Sequence, residues 1–270
     1  MPRKKVVADA RRDALSANGR SCIAIAQSGV LTRPLKTSET VARDVVHDII
    51  AHGLRPGDRL IAEQAMLELY GVSRESLREG LRLLEVQGLI SIRRGPGGGP
   101  IVGTVDPGHL GRVSTLYYHL AGATYRELFE AWILGESTLA ERAARHPDAA
   151  ARAAAMKPYL TDDHDTETDI DEFVSVHAGF HSAVASLARN RVLELTLQTM
   201  GQIVAHHIAV TGDPRELRDT IQDSHHGVAG AVNAGHAQRA RQLMQEHIEG
   251  LCARHELGMG EQLDDYIDWR

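Results

Sequence analysis

Residues 71–88 read GVSRESLREGLRLLEVQG, and this stretch decides the fold of the front of the chain. Gly71 and Gly88 bracket it as helix breakers, and Ser73 is placed to cap a helix between them. Three leucines recur at the spacing of one helix face and predict a buried stripe: Leu77, Leu81 and Leu84. Three arginines follow a similar spacing on another face: Arg74, Arg78 and Arg82. The stretch therefore predicts an amphipathic helix with a cationic outer face.

The residues on either side complete a small module around this helix. Ser38 is a candidate cap for a first helix, and residues 63–70 form a short second helix. After Gly88, residues 89–93 alternate like a strand, and a return strand begins at Ile101 beyond a glycine-rich loop. The predicted order is helix, helix, turn, helix and two-stranded wing. In helix-turn-helix proteins, the arginine-bearing start of such a helix enters the major groove of DNA.

The same module resembles a known family over about 65 residues. Its motifs are LRPGDRL at 54–60, Glu63, GVSRESLREGL at 71–81, GLI at 88–90, and Arg94-Gly95 with Gly99 and Val102. In this order they resemble the winged helix of the GntR family. The resemblance implies that the recognition helix contacts operator bases and phosphates through Arg74, Ser76 and Arg78. The Ser73 hydroxyl lies in the opening turn of the same helix and is a further candidate for DNA binding. It also implies that Arg94 and Gly95 reach the minor groove from the wing tip. Gln64 stands where many members carry a phosphate-binding arginine, and Arg82 is better explained as part of a solvated face.

The rest of the chain is predicted to be helical. Seven helical segments follow a linker at 103–108, aromatic residues are only 4%, and strand-like alternation is absent, which favours an all-α bundle. The fold class is therefore mainly α, with an N-terminal winged helix-turn-helix and a C-terminal helical bundle. We predict a flexible tail at 1–35, a DNA-binding domain at 36–105, the bundle at 106–258 and a C-terminal tail at 259–270.

Charge and composition separate the two domains. Residues 1–105 hold 16 Lys+Arg and 11 Asp+Glu, a net of +5, whereas the remaining residues hold 14 and 25, a net of −11. Only the front is therefore expected to meet a polyanion. The sequence has no apolar run long enough for a membrane span and no apolar signal at its start, and Cys22 and Cys252 form no disulfide framework. These features favour a cytoplasmic protein.

Four histidines of the bundle are spaced so that they can meet. His177 and His181 are four residues apart on one predicted helix, so both rings can face one metal. His225 lies 10 residues before Gly235, and His247 lies 12 residues after it. Because a turn at Gly235 joins two antiparallel helices, these two rings are expected at similar depth. The spacing predicts that three or four imidazoles converge.

This half of the chain resembles the FCD effector-binding domain of the FadR subfamily. The resemblance rests on LFEA at 128–131, Phe180-His181, ARN at 188–190, His225, Gly235, Met244 and His247. It implies a divalent metal held by three histidines and an aspartate, with an effector carboxylate beside it. His181, His225 and His247 match the histidine positions, and His177 replaces the aspartate, which favours zinc or nickel.

The expected effector pocket contains Trp132, Glu130 and Arg189. Trp132 replaces an arginine that often pairs with the effector carboxylate in this subfamily. Because an indole replaces a cation, the sequence suggests a larger or more apolar effector.

The sequence argues against an enzyme. It contains no H-E-x-x-H, no E-x-x-H pair, no G-x-S-x-G and no phosphate-binding loop between a strand and a helix. The two resemblances together imply a homodimeric transcriptional regulator, expected to be a repressor, that binds operator DNA and responds to a small carboxylate-bearing metabolite. Two alternatives remain at this point: a metal-dependent helical-bundle enzyme, and a DNA-binding protein whose metal is purely structural.

Overall fold

The computed structural model describes residues 34–95, 97–160, 170–208, 218–259 and 263–269. Within these ranges the chain forms ten α-helices, one short 3-10 helix and one two-stranded antiparallel sheet. The predicted fold class, mainly α with a small wing, is therefore confirmed. Contacts divide the chain into two compact units between His109 and Leu110. Most of the predicted N-terminal tail, up to residue 33, lies outside the described residues.

The N-terminal unit consists of three helices and a wing. Its elements are α1 (Thr37–Ala51), α2 (Glu63–Tyr70), α3 (Arg74–Val86), β1 (Ile90–Arg93) and β2 (Gly99–Val102). Their apolar faces meet in one core: Val41, Val45, Met66, Leu77, Leu81, Leu84 and Ile90. α1 crosses α3 closely at Gly80, where a Cβ atom would lie 2.8 Å from a methyl of Val41. The glycine therefore permits α1 and α3 to pack closely, and this packing leaves the opposite face of α3 exposed.

Local hydrogen bonds determine where α1 and α3 begin. The Ser73 side chain accepts a hydrogen bond from the backbone N–H of Ser76, as its predicted role as a cap requires. The prediction that Ser38 caps α1 was wrong. The helix begins at Thr37, and Lys36 is its N-cap residue. The Glu39 carboxylate in the first turn accepts a hydrogen bond from the backbone N–H of Lys36 at 2.8 Å and so stabilises this start.

The wing is a short hairpin that is anchored to the preceding turn. β1 and β2 pair antiparallel from Ile90 opposite Val102 to Arg93 opposite Gly99. A further bridge joins Arg59 to Ile101. Because Arg59 comes before α2 in the chain, this bridge holds the wing next to the helices.

The C-terminal unit is built from seven helices. They are α4 (Pro107–Ala121), α5 (Tyr125–Ala144), α6 (Ala149–Met156), α7 (Ile170–Leu187), α8 (Arg191–Ile208), α9 (Arg218–Asn233) and α10 (Ala237–Met259), with a 3-10 turn at Lys157–Tyr159. α5 packs along α10, and α7 and α9 both contact α5. Phe180, Val228, Met244 and Ile248 are fully buried between them. This packing brings the predicted histidine helices together.

The end of the chain packs on the bundle. Residues 259–270 were expected to form a tail, yet Leu263 and Ile267 are buried and the backbone N–H of Ile267 donates to the Ala123 carbonyl at 2.9 Å. Arg126 also pairs with Asp264 at 2.8 Å. These two apolar side chains gain burial against the start of α5, which corrects the expectation for residues 263–269.

Candidate nucleic-acid interface and metal centre

A broad groove lies along α3 in the N-terminal unit. It encloses about 1510 Å³ and is lined by the start of α1, by α3 and by the wing. Seven cationic side chains line it: Lys36, Arg59, Arg74, Arg78, Arg82, Arg93 and Arg94. Four glutamates line it as well: Glu63, Glu75, Glu79 and Glu85. The described lining therefore carries an excess of three positive charges, as expected for a surface that meets phosphates.

A glutamate of α2 holds two of the groove arginines. Glu63 Oε1 lies 3.1 Å from Arg78 Nε and 3.8 Å from Arg74 Nη1. All three side chains are at least one-third exposed, so these ion pairs add little stability. Their effect is on orientation, because one carboxylate keeps both guanidinium groups on the groove side of α3.

The structure brings together most of the predicted DNA-binding residues. The groove is lined by Arg74, Ser76, Arg78, Arg94 and Gly95. Ser73 is instead engaged as the cap of α3, and the Gln64 side chain donates to Glu68 Oε1 at 3.1 Å. Arg59 and Arg93 were not predicted. Arg59 reaches the groove through a long-range bridge to β2, which residue spacing does not reveal.

Four imidazoles converge inside the C-terminal unit. His177 and His181 come from α7, His225 from α9 and His247 from α10. One ring nitrogen of each lies within 4.8 Å of the corresponding nitrogen of the other three. Four of these ring nitrogens are buried without a hydrogen-bond partner: His177 Nδ1, His181 Nε2, His225 Nε2 and His247 Nε2. The predicted convergence is therefore present in the described structure.

Neighbouring side chains orient two of these rings. Glu136, which is only 3% exposed, places Oε2 at 3.0 Å from His181 Nδ1. Ser224 Oγ donates to the Ile221 carbonyl and lies 2.7 Å from His247 Nδ1, so it is left to accept from that ring. In both rings Nδ1 is the donor, and Nε2 therefore presents its lone pair to the centre of the cluster. Phe180 stacks on His225 with ring centroids 3.8 Å apart.

Burial lowers the pKa of three of the four imidazoles and so keeps these three uncharged. Desolvation, together with the neighbouring imidazoles, lowers the pKa of His177 and of His225 well below 6.5. Burial and the nearby His181 ring lower the pKa of His247 to about 3. At neutral pH these rings are therefore neutral, which is the form that binds a metal. Partnerless buried nitrogens on four converging rings fit a divalent ion of the kind that imidazole ligands select.

Of the three residues expected in an effector pocket, Trp132 alone is buried. It is 5% exposed, and its ring centroid lies 6.3 Å from that of His181. Glu130 is exposed, because two positions along α5 turn a side chain about 200° away from Trp132. Arg189 is exposed in the turn after α7, with a φ of 53°. The structure therefore does not place Glu130 and Arg189 in the buried surroundings of Trp132, and their part in an effector pocket stays a prediction.

These two units define a class of protein. A winged helix with a cationic recognition helix reads DNA, and a helical domain with a polar buried cluster suits a small ligand. None of the helices described is long and apolar enough to cross a membrane. Residues 37–98 match the family model for bacterial regulatory proteins of the gntR family, and residues 127–250 match the FCD domain. The chain belongs to the GntR family and carries an FCD domain.

Relatives agree with this assignment. The chain is 28% identical over 203 residues to the Uxu operon regulator of Haemophilus influenzae, covering 72% of this chain and 73% of that protein. It is 24% identical over 233 residues to the HTH-type transcriptional repressor NanR of Edwardsiella tarda, covering 82% and 87%. A solved structure of a Streptococcus agalactiae GntR protein shares the fold, with a TM-score of 0.58, 21% identity, and coverage of 79% and 98%. The protein is thus a DNA-binding transcriptional regulator and not an enzyme.

Proposed function

We propose that this regulator responds to a small carboxylate-bearing metabolite through a metal held by the four-histidine cluster. The observation that carries the proposal is a group of four imidazoles, each with one ring nitrogen within 4.8 Å of the others and each with a buried ring nitrogen that lacks a partner. Buried polar atoms are normally satisfied, so four such atoms at one point call for a ligand. The lowered pKa values of His177, His225 and His247 favour a metal over protonation of these rings. The contacts that orient His181 and His247 also support a metal.

The ligands in this proposal are His177, His181, His225 and His247. An all-imidazole donor set favours zinc or nickel over magnesium or calcium, which prefer oxygen ligands. When bound, such an ion supplies a positive charge that attracts a carboxylate. The protein contributes the orientation of His181 through Glu136 and of His247 through Ser224.

The proposed DNA interface is the groove along α3. Arg74, Ser76 and Arg78 stand at the exposed start of the recognition helix, where bidentate contacts to guanine are possible for arginine. Arg94 and Gly95 stand at the wing, on the rim of the same groove. Ser73 supports this surface by capping α3, and Gln64 is assigned at most a contact with the DNA backbone.

We further propose that the protein acts as a homodimeric repressor. The NanR relatives are named as repressors, which supports this direction of regulation. Two winged helices on a pseudo-palindromic operator follow from the symmetry of helix-turn-helix dimers. The metabolite can change operator affinity only if it binds two arrangements of the protein with different affinity.

The first experiment is elemental analysis of the purified protein and of two variants. We expect about one zinc or nickel per chain in the unsubstituted protein and a large loss in His181→Ala. His226→Ala is the matched control, because His226 is adjacent to His225 but exposed, and it should keep the metal. Absence of metal in the unsubstituted protein, before and after reloading, would overturn the metal site.

A second measurement separates a responsive metal from a structural one. Operator affinity is measured for the metal-loaded protein with and without a panel of small carboxylates. A change with at least one acid supports the proposed response. No change with any acid, together with a lower melting temperature after metal removal, would assign the metal a structural role instead.

A further inference from the structure

The turn before α2 runs beside β2 like a third strand of the wing. Three backbone hydrogen bonds of 2.9 to 3.0 Å join residues 57–60 to β2: Gly57 to Val102, Val102 to Asp58, and Leu60 to Pro100. Arg59 lies in the middle of this segment, opposite Ile101. Its backbone is therefore fixed on both sides, although the residue is exposed.

The same segment also contacts the recognition helix. Glu63, four residues after Arg59, lies 3.1 Å from Arg78 Nε and 3.8 Å from Arg74 Nη1. Residues 59–63 therefore connect the edge of the wing with the exposed face of α3, and both ends of this connection line one groove. An arginine at the wing end consequently keeps a defined position relative to the arginines of α3.

The Arg59 guanidinium has no acceptor in the described part of the chain. It makes no hydrogen bond or ion pair there, whereas Glu63 holds Arg74 and Arg78. A Cβ atom at Gly97 in the wing loop would lie 4.0 Å from Arg59 Nη1. Because position 97 has no side chain, the guanidinium is uncovered on that side. A guanidinium offers five N–H donors and accepts none, so it suits an anion with several oxygens.

The position of Arg59 favours a phosphate over a base edge as this anion. DNA that meets α3 through its major groove has a sugar-phosphate strand on each side of that groove. The wing flanks α3, so a side chain at the edge of the wing faces one of these strands, whereas the start of α3 approaches the bases. The groove lining also carries an excess of three positive charges, which phosphates offset.

We infer that Arg59 binds a phosphate of the DNA strand that borders the groove entered by α3, and that it contributes affinity without reading sequence. This inference rests on the proposed DNA interface. The guanidinium donates to the phosphate oxygens, and residues 57–63 hold it at a fixed distance from the arginines of α3. The contact therefore helps to set the register of the protein on the duplex.

The test measures the affinity of the full-length protein for two duplexes over a range of salt concentrations. One duplex is selected by the unsubstituted protein from a random library, and the other is a scrambled duplex of the same composition. Arg59→Gln should weaken binding to both by a similar factor, about three- to tenfold. It should also reduce the log–log salt slope by about 1.8, for one contact in each protomer of a dimer.

Two further variants serve as controls. Arg59→Lys keeps the charge and should retain most of the salt slope. Arg43→Gln alters an arginine that lies outside the groove and pairs with Asp44, so it should match the unsubstituted protein. Because a change in wing packing alone leaves the number of phosphate contacts unaltered, the slope separates a direct contact from a structural role.

Phosphate ethylation gives a second readout. A phosphate whose ethylation hinders binding of the unsubstituted protein should lose this effect with Arg59→Gln. An unchanged slope with an unchanged ethylation pattern would overturn this inference, and so would a loss of affinity confined to the selected duplex. Arg78→Ala on the same duplexes tests the interface separately. Normal binding by both Arg78→Ala and Arg59→Gln would overturn the proposed DNA interface, whereas normal binding by Arg59→Gln alone would overturn only the phosphate contact.

Discussion

Replacing Glu136 tests whether the histidine cluster holds a metal in the orientation that the structure shows. The carboxylate is buried on α5 and lies 3.0 Å from His181 Nδ1, on the side of the ring away from the cluster. A carboxylate in this position keeps the proton on Nδ1 and makes Nε2 a better metal ligand. Glu136→Gln retains a neutral acceptor at the same place, whereas Glu136→Ala removes it.

The expected losses follow from the strength of this hydrogen bond. A bond to a charged acceptor contributes about 1.5–3 kcal/mol, and a neutral one about 0.5–1.5 kcal/mol. The difference of roughly 1–1.5 kcal/mol predicts about tenfold weaker metal binding for Glu136→Gln. Glu136→Ala leaves Nδ1 without an acceptor and should approach the roughly hundredfold loss found when such partners are removed.

Metal affinity is measured by competition with a chelator of known affinity, on protein first stripped of metal. Glu141→Gln is the matched control, because Glu141 is also on α5 but pairs with Arg145 and Arg241 instead of a histidine. The cobalt-loaded forms are compared by visible absorption, which reports the ligand set directly. Metal affinity of Glu136→Gln within twofold of the unsubstituted protein would refute the reasoning.

Three further predictions concern DNA binding and acid stability. Arg78→Ala should weaken operator binding at least about tenfold in a gel-shift titration. Arg43 lies outside the groove and pairs with Asp44, so Arg43→Ala should leave operator affinity unchanged. Equal operator affinities of the two variants would refute the groove assignment. Raising salt from about 50 to 200 mM should reduce operator affinity steeply, with a log–log slope near −5 for about three phosphate contacts per protomer, and a flat response would exclude such contacts. The metal-free protein should lose stability below pH 6.5. At such pH the histidines of the unfolded chain bind protons, whereas His177, His225 and His247 stay neutral in the folded protein because their pKa values are lowered. Denaturant titrations should show a loss of up to about 4 kcal/mol from about pH 7.5 to 5.5, and unchanged stability would contradict the lowered pKa values.

The DNA-binding half was predictable because its signals are local. Ser73 caps α3 and the leucine stripe packs into the core as their spacing requires, since helix periodicity alone determines which face each residue occupies. The start of α1 was less predictable. Ser38 and Lys36 lie two residues apart, and Lys36 is the N-cap residue because the Glu39 side chain accepts a hydrogen bond from its backbone N–H. Residue preferences at the N-cap position alone do not reveal this contact.

The histidine cluster was predictable in part. The spacing of His177 and His181 and the turn between His225 and His247 place four rings at one depth once the helices are antiparallel. The groups that orient those rings were not predictable. Glu136 precedes His181 by 45 residues on another helix, so no spacing rule connects the two, and only the packing of α5 against α7 does. The same holds for Arg59, which reaches the groove through the wing.

The neutral donor set links three properties of the cluster that would otherwise be independent. Without a carboxylate ligand the cluster favours metals that accept imidazole, and it leaves them with more positive charge. That charge is offset first by Glu136 at 3.0 Å from His181, which makes a distant residue of α5 a determinant of metal affinity. Under the proposed function, the remaining positive charge attracts the carboxylate of the effector. In the absence of metal, the lowered pKa values of His177, His225 and His247 make the protein sensitive to acid. A single substitution, Glu136→Gln, should therefore weaken metal binding while leaving operator binding by the metal-free protein unchanged.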